Sequence, residues 1–123
     1  MKKILVIDDE DAVRDLITEK LSQHNYNVIS ASNGKDGLAL ALTTLPDLIL
    51  LDIAMADMDG YVTCEKIRSN ASTKNTPILF LTGKDLEPKS ITGRCSNLEA
   101  HGHISKAATL KDLLAKIKDI IGE

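Results

Sequence analysis

The chain lacks the features that would place it in several broad classes. Its 15 lysines and arginines against 18 aspartates and glutamates leave a net charge of −3, and the basic residues form neither a run nor a helix face. Phosphate backbones are bound by such clusters, so direct nucleic-acid binding is not expected. The longest apolar stretches, such as Ile4–Ile7 and Leu48–Leu51, are strand-sized. A membrane span needs about 20 apolar residues. The start, Met1-Lys2-Lys3 and then a short apolar run to Asp8-Asp9-Glu10, has neither the length nor the cleavage site of a secretory signal. Two cysteines, Cys64 and Cys95, make no disulfide framework and no metal-ligand cluster, and read as reduced side chains in a cytoplasmic protein. Linkers, repeats and low-complexity tracts are also missing. What remains, 123 residues of which 43% are hydrophobic and 27% charged, is expected to be one soluble domain spanning residues 1–123, with no output domain and no membrane insertion.

Two periodicities then alternate along the chain. Lys3–Ile7 is a branched apolar run stopped by acids, the pattern of a strand buried on both faces. From Asp11 to His24, Val13, Leu16, Ile17 and Leu21 recur at helical spacing. Asn27–Ala31 reads as a second strand, Ser32-Asn33-Gly34 as a turn, and Leu38, Ala41, Leu42 and Leu45 as a helical face ended by Pro46. Leu48–Leu51 runs directly into Asp52, and a loop through Asp59-Gly60 leads to a helix over Tyr61–Arg68. After a polar connector, Ile78–Leu81 is a strand ending at Thr82. Residues 84–100 hold Pro88 and Gly93 with poor apolar periodicity, so the helix expected there is short or irregular. Gly102–Ser105 is the fifth strand, ending at Lys106. Thr109 and Asp112 have capping-box spacing ahead of a Leu110–Ile121 stripe. Five alternations of strand and helix predict a doubly wound α/β sandwich with a mostly parallel sheet.

Crossovers in such sheets are right-handed, so the carboxyl ends of all strands share one edge, where ligands bind. That edge receives Asp8, Asp9 and Glu10 from strand one, Asp52 from strand three, Thr82 from strand four and Lys106 from strand five. Crowded carboxylates repel unless a cation joins them. An oxygen-only set suits a hard divalent ion, Mg²⁺ above all, and no His or Cys adjoins these acids to favour zinc. A carboxylate beside such an ion, a lysine and a hydroxyl can attack phosphorus and form an acyl phosphate.

These motifs, Lys-Ile-Leu-Val-Ile-Asp8-Asp9, Leu-Ile-Leu-Leu-Asp52-Ile-Ala-Met55-Ala-Asp57-Met-Asp59-Gly60, Leu81-Thr82-Gly83 and Ile-Ser-Lys106, resemble the receiver domain of bacterial response regulators, the CheY-like superfamily. The resemblance covers nearly the whole chain in the correct order. It implies a flavodoxin-like, five-stranded parallel sheet in the order 2-1-3-4-5, in a phosphoprotein of a two-component system or phosphorelay. Asp52 would accept a phosphoryl group from a phosphohistidine on a histidine kinase or histidine phosphotransfer protein, without the chain being an enzyme in its own right. Asp9 would bind Mg²⁺ directly, with Asp8 largely through water and the Ala54 backbone carbonyl completing the set. Lys106 would pair with the carboxylate and then the phosphate. Thr82 would swing toward the phosphoryl group, with the Gly83 amide donating to it. The added charge would bias a two-state rearrangement of nearby loops and the last strand.

Three positions depart from the family pattern. Ala107 follows Lys106 where a proline, often cis, is common; a non-proline cis bond costs about 3 kcal/mol, so a trans bond or a reshaped loop is expected. His103 occupies the position of the aromatic switch residue, and reads either as a partly exposed polar residue on an edge strand or as a part of an altered relay. Met55-Ala56 replaces the usual Met-Pro. Plainer readings of the remaining acids make Asp57 and Asp59 turn and cap residues.

Two other functions compete. Asp57-Met-Asp59-Gly60-Tyr61 resembles the signature of haloacid-dehalogenase-like phosphatases, but that chemistry needs its first Asp at a strand end, and the strand here stops at Asp52. A phosphorylation-independent interaction module on the same fold is the second, and retention of the acceptor, acids, hydroxyl and lysine weighs against it.

Overall fold

The computed structural model describes residues 1–83, 93 and 97–122. Within them the elements are β1 (Lys3–Ile7), α1 (Asp11–Ser22), β2 (Asn27–Ala31), α2 (Gly34–Thr44), β3 (Leu48–Asp52), α3 (Gly60–Arg68), β4 (Ile78–Thr82), β5 (His103–Ser105) and α4 (Leu110–Ile121). The sheet order is β2-β1-β3-β4-β5, and all four pairings are parallel.

The short apolar runs are central strands because both of their faces are covered. Leu5, Ile7, Ile49, Leu51, Ile78 and Phe80 meet Ala41 of α2 and Cys64 and Ile67 of α3. Their neighbours Ile4, Val6, Leu48, Leu50, Leu79 and Leu81 point the other way, onto Leu21 of α1 and Leu113 and Ile117 of α4. Period-two alternation thus splits one continuous run into two cores. Tyr61 packs edge-on against Phe80, with ring centroids 5.3 Å apart.

Side-chain caps set three helix starts. Asn33 Oδ1 accepts from Asp36 N at 2.8 Å, Asp59 Oδ1 from Val62 N at 2.9 Å and Thr109 Oγ1 from Asp112 N at 3.2 Å. Asp59 is therefore a cap, as its turn reading anticipates, and α3 begins one residue earlier than Tyr61. Two helix ends differ from the periodicity. α1 stops at Ser22 rather than His24 because the chain turns through Asn25 at φ 67°. α2 stops at Thr44, with Leu45 left-handed at φ 49° ahead of Pro46. β5 starts at His103, although the carbonyl of Gly102 already accepts from Phe80 N at 3.0 Å. The irregular helix expected over residues 84–100 and Cys95 lie largely outside the described residues. No helix among the described residues is long and apolar enough to cross a membrane.

Candidate functional site

Parallel pairing carries the site residues to one edge. Ladder hydrogen bonds continue past the strands: Asp8 N donates to Ala31 O (3.2 Å), Ile53 N to Leu81 O (3.3 Å) and Lys106 N to Thr82 O (2.9 Å). The backbones that bear Asp8, Asp52 and Lys106 are thereby held in sheet register. The chain must also turn sharply after β3. A Cβ at Gly60 would lie 2.3 Å from the carbonyl oxygen of Asp52 and 2.8 Å from Ile53 Cα, so only glycine lets α3 start against the acceptor strand.

Lys106 stands at the centre. Its Nζ lies 3.1 Å from Asp8 Oδ2, 3.1 Å from Asp52 Oδ2 and 2.7 Å from Glu10 Oε1. Asp8 and Asp52 are buried, at 0% and 1% side-chain exposure, whereas Glu10 is 61% exposed. Asp8 Oδ1 accepts from Glu10 N (2.8 Å), its carbonyl accepts from the Arg14 guanidinium (2.7 Å), and Asp52 Oδ1 accepts from Ala54 N (3.2 Å). The two remaining oxygens, Asp8 Oδ2 and Asp52 Oδ2, have no hydrogen-bond partner; Lys106 reaches them as an ion pair at an unfavourable angle.

The electrostatics follow from this crowding. Burial, then repulsion from Asp8, pushes the Asp52 carboxyl up to about 6, against the opposing pull of Lys106 and the Ala54 amide. Burial alone would lower the Lys106 ammonium, but its ion pairs with Glu10, Asp52 and Asp8 outweigh this and hold it above the usual lysine value. Oxygens of Asp8, Glu10 and Asp52 lie within 4.8 Å of one another, close enough to share a metal ion. Two buried carboxylate oxygens without hydrogen bonds, in an all-oxygen set, fit a hard divalent cation.

The other expected site residues fall as follows. Asp9 is exposed at the rim, where its Oδ2 accepts from Ala56 N at 3.4 Å, and it is not in the three-carboxylate cluster. Ala54 is exposed, and its amide donates to Asp52 Oδ1. Thr82 is buried, and its hydroxyl donates to Ile104 O across the edge of the sheet at 3.3 Å. Gly83 is exposed, and an added Cβ there would meet no atom within 4 Å. His103 lies half-buried on the edge strand β5, in register with Phe80. There are no cis peptide bonds among the described residues, so Lys106–Ala107 is trans, and Ala107 N donates to Ser105 Oγ at 3.0 Å in the turn that follows. Asp57 Oδ1 accepts from Gly34 N at 3.4 Å, a link to α2 away from the lysine. Glu10, one of the acids at this edge, gains its place in the site from the 2.7 Å contact with Lys106. Its position two residues after Asp8 was the available signal.

Comparisons with known proteins agree with this geometry. A family model described as the response regulator receiver domain matches residues 4–118. The chain is 37% identical over 120 residues to the alkaline phosphatase synthesis transcriptional regulatory protein PhoP of Bacillus subtilis, covering 98% of this chain and 48% of that protein. It is 31% identical over 121 residues to Protein PilH of Pseudomonas aeruginosa, covering 98% of each. Among solved structures, the chemotaxis protein CheY4 of Vibrio cholerae superimposes with a TM-score of 0.90 at 28% identity, covering 98% of both chains. The chain spans about half the length of the transcriptional regulators it matches.

Proposed function

The chain belongs to the receiver-domain family of response regulators and serves phosphorylation-dependent signalling, and from that premise we propose that Asp52 is its phosphoacceptor. The observation that carries the assignment is the meeting of buried Asp52 and Asp8 on one lysine, each with an oxygen that no hydrogen bond satisfies.

The phosphoryl donor is a phosphohistidine on a histidine kinase or histidine phosphotransfer protein. An Asp52 oxygen attacks phosphorus, the bond from phosphorus to the imidazole nitrogen breaks, and the imidazole keeps the electron pair and takes a proton from water. Lys106, already between the two carboxylates, then pairs with the phosphoryl oxygens. Asp8, Asp9 and Asp52, with the Ala54 carbonyl, would hold Mg²⁺, while Glu10 stands at the outer side of the cluster. Bound there, the ion supplies positive charge that favours the ionised acceptor and offsets charge on the transferring group. To donate to the phosphoryl group, Thr82 must give up its bond to Ile104, and that exchange loosens β5 from β4. Gly83 leaves the approach open and offers its amide. The reaction modifies the domain once and reverses by slow hydrolysis, so no separate substrate is turned over. The domain is proposed to work in the cytoplasm and to act on a protein partner without touching nucleic acid.

Incubation with Mg²⁺ and acetyl phosphate, followed by intact-mass measurement, tests the assignment. Wild type should gain one phosphoryl group and Asp52→Asn none. A mass gain that persists in Asp52→Asn would sink it.

A further inference from the structure

Glu10 occupies the N-cap of α1, yet its side chain makes no capping hydrogen bond. Its carboxylate reaches out of the helix to Lys106, at 2.7 Å the shortest of the lysine's three ion pairs. The lysine hydrogen-bonds Glu10 Oε1 and, at 3.4 Å, Asp8 Oδ1, while its 3.1 Å approach to Asp52 Oδ2 makes no hydrogen bond. Of the three anions, two are fixed by burial, and only Glu10, 61% exposed, has solvent to move into.

We propose that Glu10 is a positioning residue for Lys106, an anionic latch that keeps one hydrogen bond of the ammonium engaged outside the acceptor while Asp52 is unmodified. When a phosphoryl group arrives, Lys106 exchanges the Glu10 carboxylate for phosphoryl oxygens and Glu10 turns into water. The latch rests on the phosphoacceptor reading above. It makes the unmodified state more favourable by whatever the pair is worth. For an ion pair with one exposed partner, that lowers affinity for a phosphoryl-like anion about three- to fivefold. A competing role is metal ligation, since Glu10 lies within the cluster that Asp8 and Asp52 form.

Titration calorimetry separates these roles, first with Mg²⁺ alone and then with fluoroberyllate in saturating Mg²⁺. The proteins are wild type, Glu10→Gln, and Asp11→Asn as a charge control whose carboxylate pairs with Arg14 instead of Lys106. Glu10→Gln should bind fluoroberyllate about three- to fivefold tighter than wild type, with Mg²⁺ affinity changed by less than about threefold and Asp11→Asn near wild type in both. The split between the two affinities is what a merely structural residue would not produce. Fluoroberyllate binding that is unchanged or weaker in Glu10→Gln, or equally tightened in Asp11→Asn, would overturn the latch. So would a larger loss of Mg²⁺ affinity, which would make Glu10 a metal ligand. If wild type bound no fluoroberyllate, the phosphoacceptor assignment itself would fail.

Discussion

Replacing Asp52 by Asn should stabilise the metal-free protein, even though it removes the proposed phosphoacceptor. Burial and the neighbouring Asp8 raise the Asp52 carboxyl from 3.8 to about 6 in the folded protein. The native state therefore binds this proton more tightly than the unfolded chain does. The resulting contribution to stability is fully present below 3.8 and is lost as pH rises through about 6. At about 1.4 kcal/mol per unit, ionised Asp52 costs the fold about 2–3 kcal/mol at neutral pH. Asparagine keeps the shape, cannot ionise and escapes that cost. In EDTA at about pH 7.5, Asp52→Asn should exceed wild type by about 2–3 kcal/mol, or roughly 10 °C in Tm for a domain of this size. At about pH 4.5 the gap should shrink to about 1 kcal/mol. Urea denaturation at both pH values measures it. Mg²⁺ should then close much of the gap by stabilising wild type alone. A variant no more stable than wild type at neutral pH, or a gap that does not narrow in acid, would refute the account of Asp52 as a strained buried carboxylate.

Lys106→Met should have the opposite effect, because it leaves Asp8 and Asp52 buried without a cation. The expected loss is about 2–4 kcal/mol at neutral pH, smaller in an Asp52→Asn background, read by urea titration of the double-mutant cycle. Gly60→Ala would drive a Cβ into the Asp52 carbonyl; a loss of at least about 2 kcal/mol is expected, together with slower labelling by acetyl phosphate once stability is corrected for. Arg68 spreads its donors over the carbonyls of Leu98 (3.1 Å), Glu99 (3.2 Å), Thr73 (3.4 Å), Lys74 (3.1 Å) and Thr76 (2.7 Å), tying the end of α3 to the approach to β5. Lysine cannot reproduce that planar fork, so Arg68→Lys should cost about 1–2 kcal/mol and speed amide exchange at residues 98–104.

The elements were legible where one local signal decided them. Apolar runs of five residues bounded by acids or turns are strands, and Asn33, Asp59 and Thr109 mark helix starts because each side chain satisfies an amide of its own first turn. The meeting of Asp8, Asp52, Thr82 and Lys106 was legible for a different reason, since parallel connectivity sends every strand's carboxyl end to one edge. Side-chain direction at that edge was not. Nothing local distinguishes Asp8 from Asp9, yet one is wholly buried on Lys106 and the other exposed at the rim. Glu10 was equally opaque, because its partner is 96 residues away. The Arg68 clamp is invisible because its partners, in the adjoining connector and in a segment about 30 residues on, are backbone carbonyls that leave no residue-type signature.

The departures at His103 and Ala107 bear on one short strand. β5 has only three residues, none fully buried, and lies at the edge of the sheet. Beside the ladder pairing of Thr82 with Ser105, its far end is tied to β4 by the bonds from Thr82 Oγ1 to Ile104 O and from Lys106 N to Thr82 O. Thr82 and Lys106 are also the two residues assigned to the phosphoryl group. Under the proposed function, then, the phosphoryl group competes directly for the Thr82 hydroxyl that ties β4 to β5, a route that does not pass through an aromatic side chain. His103 is carried on that strand by its pairing with Phe80, and the trans turn at Ala107, closed by Ser105, begins at the strand's last residue. A proline-free turn keeps the Ala107 amide as a donor, so the strand can shift as a unit with its turn still hydrogen-bonded. On that proposal, the event reaches the three-residue edge strand through one threonine that changes partners.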